Sequence, residues 1–351
     1  MSIQVLSRGI DTLYWSTACG IDAERFVALR AARDRAGEHV DVAREIDGYA
    51  LTVEPHGAGR YPVLLTCAEF SVQLTDSEHI PTAFVQLRSG FLHSAEGPEA
   101  AFAQSVKAVA SLCGREVAEP RASRLDVYAD WARWVLSDED RRGLVTHAKL
   151  FPVLRAGTDE YETIRVGTSP MVLRLYRKDI ELRTKPGFAD VFWGGYSGPV
   201  VRVEAQALTE KLRELGIVTV ADAFASYGDL WAYGTTRFCE LRAVGAGDRE
   251  GWPLREEWRA VQRLGVDVFP RSGLVPFVQA ARDKERVARV LLGALKTYAA
   301  IEGVEEPLRA LARLRAEYPG FVTDDRQSFA DGVRARRARL SKAVREAEPV
   351  A

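Results

Sequence analysis

Three segments in the middle of the sequence alternate between apolar and polar residues. They are residues 123–130 (SRLDVYAD), 172–178 (VLRLYRK) and 200–207 (VVRVEAQA). Because successive side chains of a strand point to opposite faces, each segment predicts a strand with one apolar and one polar face. Such strands pack their apolar face on helices and can leave the other face to water. They constrain the fold more than any other feature of the 351-residue chain.

The first 245 residues mix strand and helix patterns, and the remainder is helical in character. Residues 245–251 (GAGDREG) combine glycine with charge, which predicts a linker. Beyond the linker, apolar residues recur at the i, i+3, i+4, i+7 spacing of amphipathic helices. We therefore expect an α+β domain over residues 1–245 and a smaller helical domain over residues 246–351.

The charge balance excludes a protein that simply coats nucleic acid. The chain has 48 Lys and Arg against 49 Asp and Glu, a net charge of -1, whereas nucleic-acid-binding domains often have a pI above about 9. Any contact with DNA must use local basic patches. One such patch is the basic C-terminal segment, which is either a solvated helix end or a phosphate contact; we predict DNA contact by Arg334, Arg336, Arg337 and Arg339.

Cysteine and histidine spacing offers no metal motif. The four cysteines are scattered without a CxxC pair, so a zinc knuckle is not expected and reduced core residues are. No two of the five histidines lie within four residues of each other. We see neither a secretory signal nor an apolar run long enough to span a membrane, so we expect a cytoplasmic protein without a membrane partner.

The polar faces of the three strands contain the groups needed to cut a phosphodiester. Two carboxylates on adjacent strands can hold Mg²⁺ or Mn²⁺, which prefer oxygen ligands. A tyrosine hydroxyl can attack phosphorus when a metal or a nearby lysine stabilises the charge that develops. The arginines of this face can hold flanking phosphates, which predicts DNA contacts for Arg124, Arg174 and Arg202. The structural alternative is a solvated face on which Asp126 and Glu204 form cross-strand salt bridges with Arg124 and Arg202.

The order of these motifs resembles the replication initiation factor family, the trans-acting rolling-circle initiators of plasmids and filamentous phages. The resemblance rests on residues 163–167 (TIRVG), 173–179 (LRLYRKD) and 201–204 (VRVE), together with the R-x-D-x-x-x-D pattern at 124–130. Ile10 and Asp11 in the first predicted strand are also typical of the family. The similarity covers roughly residues 10–245.

The resemblance implies a DNA-nicking and strand-joining initiator built on a curved, mostly antiparallel sheet with helices packed on one face. Tyr176 would be the nucleophile that forms a phosphotyrosyl link, and Lys178 would assist it electrostatically. Asp126 and Glu204 would bind Mg²⁺ or Mn²⁺. The implied partners are double-stranded and single-stranded origin DNA, a replicative helicase and a second copy of the chain.

Other functions fit the same residues. The chain can be a catalytically silent DNA-binding regulator of a phage or mobile element that keeps the fold. It can also be a metal-dependent nuclease that uses water and forms no covalent link to DNA. Tyr128, on the same polar face as Asp126, is an alternative nucleophile.

Overall fold

A computed structural model describes residues 3–35, 39–41, 49–93, 96–154, 161–184, 192–271 and 291–317. These residues form a curved antiparallel sheet with helices, which confirms the predicted α+β class. The strands are β1 (Gln4–Thr17), β2 (His39–Asp41), β3 (Ala50–Val53), β4 (Val63–Thr66), β5 (Phe70–Leu74), β6 (Ala83–Leu87), β7 (Arg121–Ala132), β8 (Leu144–Val145), β9 (Leu150–Leu154), β10 (Tyr161–Val166), β11 (Met171–Arg177), β12 (Val200–Leu208) and β13 (Glu240–Leu241).

Eleven of the strands within the described residues join one sheet in the order β2-β3-β4-β5-β6-β1-β7-β12-β11-β10-β9. Every neighbouring pair is antiparallel. The three strands predicted to share a polar face, β7, β12 and β11, lie side by side near the middle of the order. β8 and β13 pair separately.

The main helices of the described residues are numbered in chain order and are interspersed with the strands. They are α1 (Ala23–Asp34), α2 (Ser89–Leu92), α3 (Gly97–Cys113), α4 (Asp138–Gly143), α5 (Lys178–Glu181), α6 (Thr209–Glu214), α7 (Val220–Ala232), α8 (Glu256–Asp267) and α9 (Pro307–Glu317). Residues 291–301 are also helical. None of these described helices combines the length and apolar character needed to cross a bilayer.

One face of the sheet is sealed by helices. Trp15 of β1 is fully buried, and its indole nitrogen donates a hydrogen bond to Ser105 of α3 at 3.2 Å. Phe102 of α3 meets the Trp15 ring edge-on, with ring centres 5.5 Å apart, and also contacts Phe224 of α7. The alternating residues of β7 and β12 on this face are buried and apolar, as their period of two predicts.

Cysteines belong to this interior only in part. The four are free thiols, Cys113 and Cys239 are buried, and Cys19 and Cys67 are half-buried.

The chain divides into two compact units, Met1–Gly273 and Leu274–Ala351. The first unit runs past residue 245, where the sequence places the domain boundary, because α8 packs on α7. Trp258 of α8 is fully buried and donates a hydrogen bond to the carbonyl of Thr235 at 2.8 Å. In the other direction, the indole nitrogen of the buried Trp231 of α7 donates a hydrogen bond of 2.8 Å to the carbonyl of Val261 in α8. The described part of the C-terminal region is helical, as predicted, at residues 256–267, 291–301 and 307–317.

The position of α8 predicts how shortened chains behave. Residues 1–273 should unfold cooperatively, because they retain both tryptophans of the α7–α8 contact. Residues 1–245 should not, because they leave buried apolar surface of Trp231 exposed to water. Chemical denaturation followed by tryptophan fluorescence measures both. Cooperative unfolding of the 1–245 chain at the midpoint of the longer one would show that α8 does not belong to the first unit.

Candidate active site on the polar face of the sheet

The second face of the sheet brings the predicted site residues together. In the register of β11 with β12, Arg174 lies opposite Glu204 and Tyr176 lies opposite Arg202. In the register of β12 with β7, Gln206 lies opposite Asp126. Directly opposite and diagonal side chains of adjacent strands are close enough to interact. Asp126, Tyr176 and Glu204 therefore share one polar surface, as the sequence pattern predicts.

Glu204 is the centre of this surface. The hydroxyl of Tyr176 donates a hydrogen bond to Glu204 Oε2 at 2.9 Å. The guanidinium of Arg174 pairs with Glu204 Oε1 and also donates to the side-chain oxygen of Gln206. The Glu204 carboxylate is buried, and each of its oxygens accepts a bond. The partner of Glu204 is therefore Arg174 of the neighbouring strand, and neither Arg124 nor Arg202, the arginines of the predicted cross-strand salt bridges, pairs with it among the described residues.

Asp126 is paired in the same manner within its own strand. Arg124 Nε donates to Asp126 Oδ1 at 2.9 Å, and Arg124 Nη2 pairs with the other carboxylate oxygen. Arg124 Nη2 also reaches Gln206 Oε1 at 3.3 Å. Burial raises the pKa of Asp126 to about 7, with the negative charge of Glu204 adding to the rise and Arg124 opposing it. Gln206 Oε1 accepts from Arg124 as well as from Arg174, which connects the Asp126 pair to the Glu204 pair.

Tyr176 is held in its protonated form. Burial raises the pKa of its hydroxyl well above the usual value, and the neighbouring Glu204 carboxylate raises it further. Lys178, at the start of α5, is buried and pairs with Glu181 at 2.8 Å. Its ammonium lies 5.6 Å from the centre of the Tyr176 ring. A nucleophilic Tyr176 must therefore pass its proton to an acceptor, and Glu204 is the acceptor in contact.

Arg202 is more deeply buried than Arg124 and Arg174, the two partly exposed arginines at the rim of the polar face. Only 2% of it is exposed, and its guanidinium makes two bonds to Asp130, at 2.6 and 2.9 Å. It also pairs with Asp11 at 2.5 Å and stacks over the Tyr128 ring, 3.9 Å from its centre. The indole nitrogen of Trp193 also donates a hydrogen bond of 2.9 Å to the Asp130 carboxylate. Arg202 thus holds a structural position in this arrangement, and its predicted DNA contact stays a prediction.

Asp11 reaches this network through an irregularity in β1. Ile10 lies opposite Val127 and Thr12 opposite Asp126, so Asp11 is an extra residue in β1, a β-bulge. Its carboxylate accepts a hydrogen bond from Ser89 at 2.9 Å, and His93 lies 3.5 Å away. Although burial opposes it, the nearby His93 and the charge of Arg202 lower the pKa of Asp11. The sequence predicts a strand that contains Asp11, but no feature of the sequence indicates the bulge.

The oxygen atoms around Asp126 and Glu204 suit a hard divalent cation. The donors are two carboxylates and the amide oxygen of Gln206, which the sequence analysis did not assign to the site. Each of these oxygens now accepts from Arg124, Arg174 or Tyr176. A bound cation would therefore displace at least one guanidinium. The side chains of Arg124 and Arg174 are 23% and 27% exposed, so either has an outward path to water.

The donor set is limited in size. No group of three or more His, Cys, Asp or Glu within the described ranges is placed to hold a metal ion. Two carboxylates with one amide oxygen leave several positions for water or phosphate oxygens, as Mg²⁺ prefers.

The predicted DNA contacts Arg334, Arg336, Arg337 and Arg339 lie outside the described residues.

No protein-family model and no curated protein matches the chain. One solved structure that is similar is that of the rolling circle replication initiator protein from Geobacillus stearothermophilus. It superposes with a TM-score of 0.45 at 14% sequence identity and covers 75% of this chain and 97% of that chain. At that distance the likeness carries no inference about function, which must come from the polar face itself.

The buried Arg202 network predicts a large loss of stability when its cation is removed. Arg202→Met leaves Asp130, which is fully buried, without its charged partner. Breaking such a pair costs about 3–5 kcal/mol of unfolding free energy. The control is Arg165→Met on β10, an exposed arginine of the same sheet, which should change stability by less than about 0.5 kcal/mol. Equal effects of the two changes in urea denaturation would remove Arg202 from its structural role.

Asp126 predicts a pH dependence of stability. Its pKa is about 7 in the folded protein and near the ordinary aspartate value of 3.8 in the unfolded chain, so the folded state keeps the proton to higher pH. The free energy of unfolding should therefore fall as pH rises through this window, and the loss should be complete above about pH 7. Asp126→Asn lacks the titration. The Tm of the variant minus that of wild type should increase from pH 4 to pH 8, by about 2–4 °C for each kcal/mol of linkage.

The matched control for this titration is Asp267→Asn at the end of α8, an exposed position. Its Tm difference from wild type should stay flat over the same range. A flat difference for Asp126→Asn as well would contradict the assigned environment of Asp126.

Proposed function

We propose that the polar face cuts and rejoins one strand of DNA, with Tyr176 as the nucleophile. The observation that carries the proposal is the 2.9 Å hydrogen bond from the Tyr176 hydroxyl to Glu204, on a surface shared with Asp126. A phenol aimed at a carboxylate acceptor beside a second carboxylate is the arrangement that nucleophilic catalysis by tyrosine requires. The side chains of Arg124 and Arg174 border it and are partly open to solvent.

The proton of Tyr176 has a defined destination in this geometry. As the Tyr176 oxygen forms its bond to phosphorus, Glu204 Oε2 accepts the hydroxyl proton. The bond from phosphorus to one deoxyribose oxygen breaks, and Glu204 returns the proton to that leaving oxygen. The product is a phosphotyrosyl link to one DNA end and a free hydroxyl on the other. The reverse sequence rejoins the strand, because the link retains the energy of the original ester.

Asp126, Glu204 and Gln206 are the residues that would hold Mg²⁺ or Mn²⁺. When bound, such an ion supplies a positive charge that polarises the phosphate and stabilises the charge developing in the transition state. Arg124 and Arg174, whose side chains are partly exposed, would then be free to donate charge-assisted hydrogen bonds to phosphates of the bound strand. Lys178 contributes positive charge beside the Tyr176 ring.

The wider role that we propose is initiation of rolling-circle replication. The substrate is origin DNA, bound as duplex and cut as a single strand. The motif resemblance supports this role. On the same basis we propose a replicative helicase and a second copy of the chain as partners, a plasmid or phage origin as the DNA, and the cytoplasm as the location.

A second candidate is a DNA-binding regulator without catalysis. It is favoured by the pairing of both carboxylates with arginine, Asp126 with Arg124 and Glu204 with Arg174. In that case the ion pairs are permanent, and the face contributes only arginines to DNA. The two candidates differ in whether a covalent protein–DNA species forms.

Trapping that species tests the nucleophile. Wild-type protein, random-sequence single-stranded oligonucleotides and Mn²⁺ should give an adduct that survives denaturing electrophoresis. Tyr176→Phe should abolish the adduct, by a factor of at least about 10³, while binding of the oligonucleotides persists. Tyr128→Phe is the matched control: Tyr128 is buried and hydrogen-bonded to Ser7 at 2.6 Å, so its loss should leave adduct formation intact.

Each of the other outcomes supports a different function. If the adduct persists in Tyr176→Phe, Tyr176 is not the nucleophile. Cut DNA without any adduct indicates a nuclease that uses water. Binding with neither cutting nor adduct, in wild type as in the variant, leaves the silent regulator.

A further inference from the structure

A groove of about 560 Å³ opens on the polar side of the sheet, where β7 begins and β12 ends. Its lining includes Arg124, the same arginine that pairs with Asp126. Pockets of this size accept small organic molecules or single monomers of a polymer. The predicted catalytic residues Tyr176 and Lys178 do not line the groove, so it is a separate feature of the first compact unit.

One wall of the groove is aromatic. Tyr14 of β1 meets Phe84 of β6 edge-on, with ring centres 5.9 Å apart, and Tyr61 lies beside Phe84 at 6.2 Å. All three rings are half-buried, so part of each faces the groove. The guanidinium of Arg124 lies 5.1 Å from the centre of the Tyr14 ring and extends this wall. Planar rings together with arginine form the type of surface on which nucleic-acid bases stack.

The lining of the groove also carries basic residues. Arg121 and Arg213 are exposed, and Glu210 is the acidic residue of the lining within the described part of the chain. Arg213 makes no ion pair with any residue that the structure describes. Arg121 has only a loose one, 3.8 Å from the exposed Glu119. Such arginines suit a phosphate group, since a partner already present would compete with it.

The sheet register relates the groove to the candidate active site. Leu208 of β12 lines the groove and lies opposite Arg124, four residues along the strand from Glu204. At the rise of an antiparallel strand this separation is about 14 Å. A strand of DNA whose phosphate sits at Glu204 therefore reaches the groove with a nucleotide a few positions away.

We propose that this groove binds one unstacked nucleotide of single-stranded DNA, with its base on the Tyr14–Phe84–Tyr61 wall and a phosphate at Arg121 and Arg213. This inference rests on the proposed function insofar as the polar face receives a single strand; it does not require that the strand is cut. The groove then determines where the strand lies relative to Tyr176.

The test compares two fluorescent probes with the same number of phosphates. One is a twelve-residue oligothymidylate, and the other is a twelve-residue phosphodiester of abasic tetrahydrofuran units. Anisotropy titrations of the full-length Tyr176→Phe protein avoid any covalent capture. We expect at least tenfold tighter binding of the oligothymidylate, because stacking contributes about 1–3 kcal/mol per base.

Variants of the groove separate the base from the phosphate. Phe84→Leu and Tyr14→Leu should each reduce the preference for the base-containing probe by about fivefold or more. Arg213→Gln should weaken both probes equally and reduce the salt slope by about 0.7, the value for one phosphate contact on a single strand. Phe151→Leu is the matched control, an exposed aromatic residue of β9 at the far edge of the sheet, and should leave the preference unchanged.

The inference is overturned if Phe84→Leu and Tyr14→Leu, shown by circular dichroism to be folded, keep the full preference for the base-containing probe. It is also overturned if Phe151→Leu alone removes that preference, since the base would then sit on β9. Failure of the proposed function has a different signature, namely no covalent adduct with wild-type protein while the groove-dependent preference persists.

Discussion

The buried pair between Arg202 and Asp130 is the interaction on which the polar face depends. It joins β12 to β7, and Asp11 of β1 contributes a second carboxylate to the same guanidinium. A shift of one residue between these strands would turn the pair to the opposite, apolar face and leave charges unpaired there. The network therefore fixes the register of three neighbouring strands. Tyr176, which lies opposite Arg202, and Glu204, two residues further along β12, are positioned by it.

The same residue types thus serve two purposes on one face. In the buried network, the side chain of Arg202 is 3% exposed and pairs with the carboxylates of both Asp130 and Asp11. At the rim, Arg124 and Arg174 hold Asp126 and Glu204 but remain about a quarter exposed. The cations of these two pairs can be solvated when they separate, so a divalent cation could replace them on the carboxylates, which would otherwise be left buried without a positive partner. Chemistry on this face belongs to the rim, while the interior network keeps the strands in place.

Much of this could be predicted from the sequence, because a period of two assigns each residue to a face without knowledge of the rest of the chain. The side-by-side placement of β7, β11 and β12 followed from the resemblance of their motifs. The pairing of individual charges could not be predicted, because it depends on register, which sets Arg174 opposite Glu204 and leaves Arg202 to pair with Asp130. The bulge that turns Asp11 inward has no sequence signature, since it is determined by two strands together.

The domain organisation illustrates a similar limit. Residues 245–251 have the composition of a linker, yet α8 beyond them packs back on α7 through Trp258. Composition reports on local flexibility, whereas this contact joins segments distant in sequence. The groove beside β7 was equally beyond prediction, because its three aromatic residues come from separate parts of the chain.

A catalytic face and a silent one differ in whether Asp126 and Glu204 can exchange their arginines for a divalent cation. Crystals of the protein grown with Mn²⁺ and examined by anomalous scattering measure this directly. Our account predicts a manganese peak about 2.1–2.3 Å from oxygens of Asp126 and Glu204, with Arg124 or Arg174 turned toward solvent. Saturating Mn²⁺ that leaves both arginine–carboxylate pairs closed, with no peak between them, would contradict it.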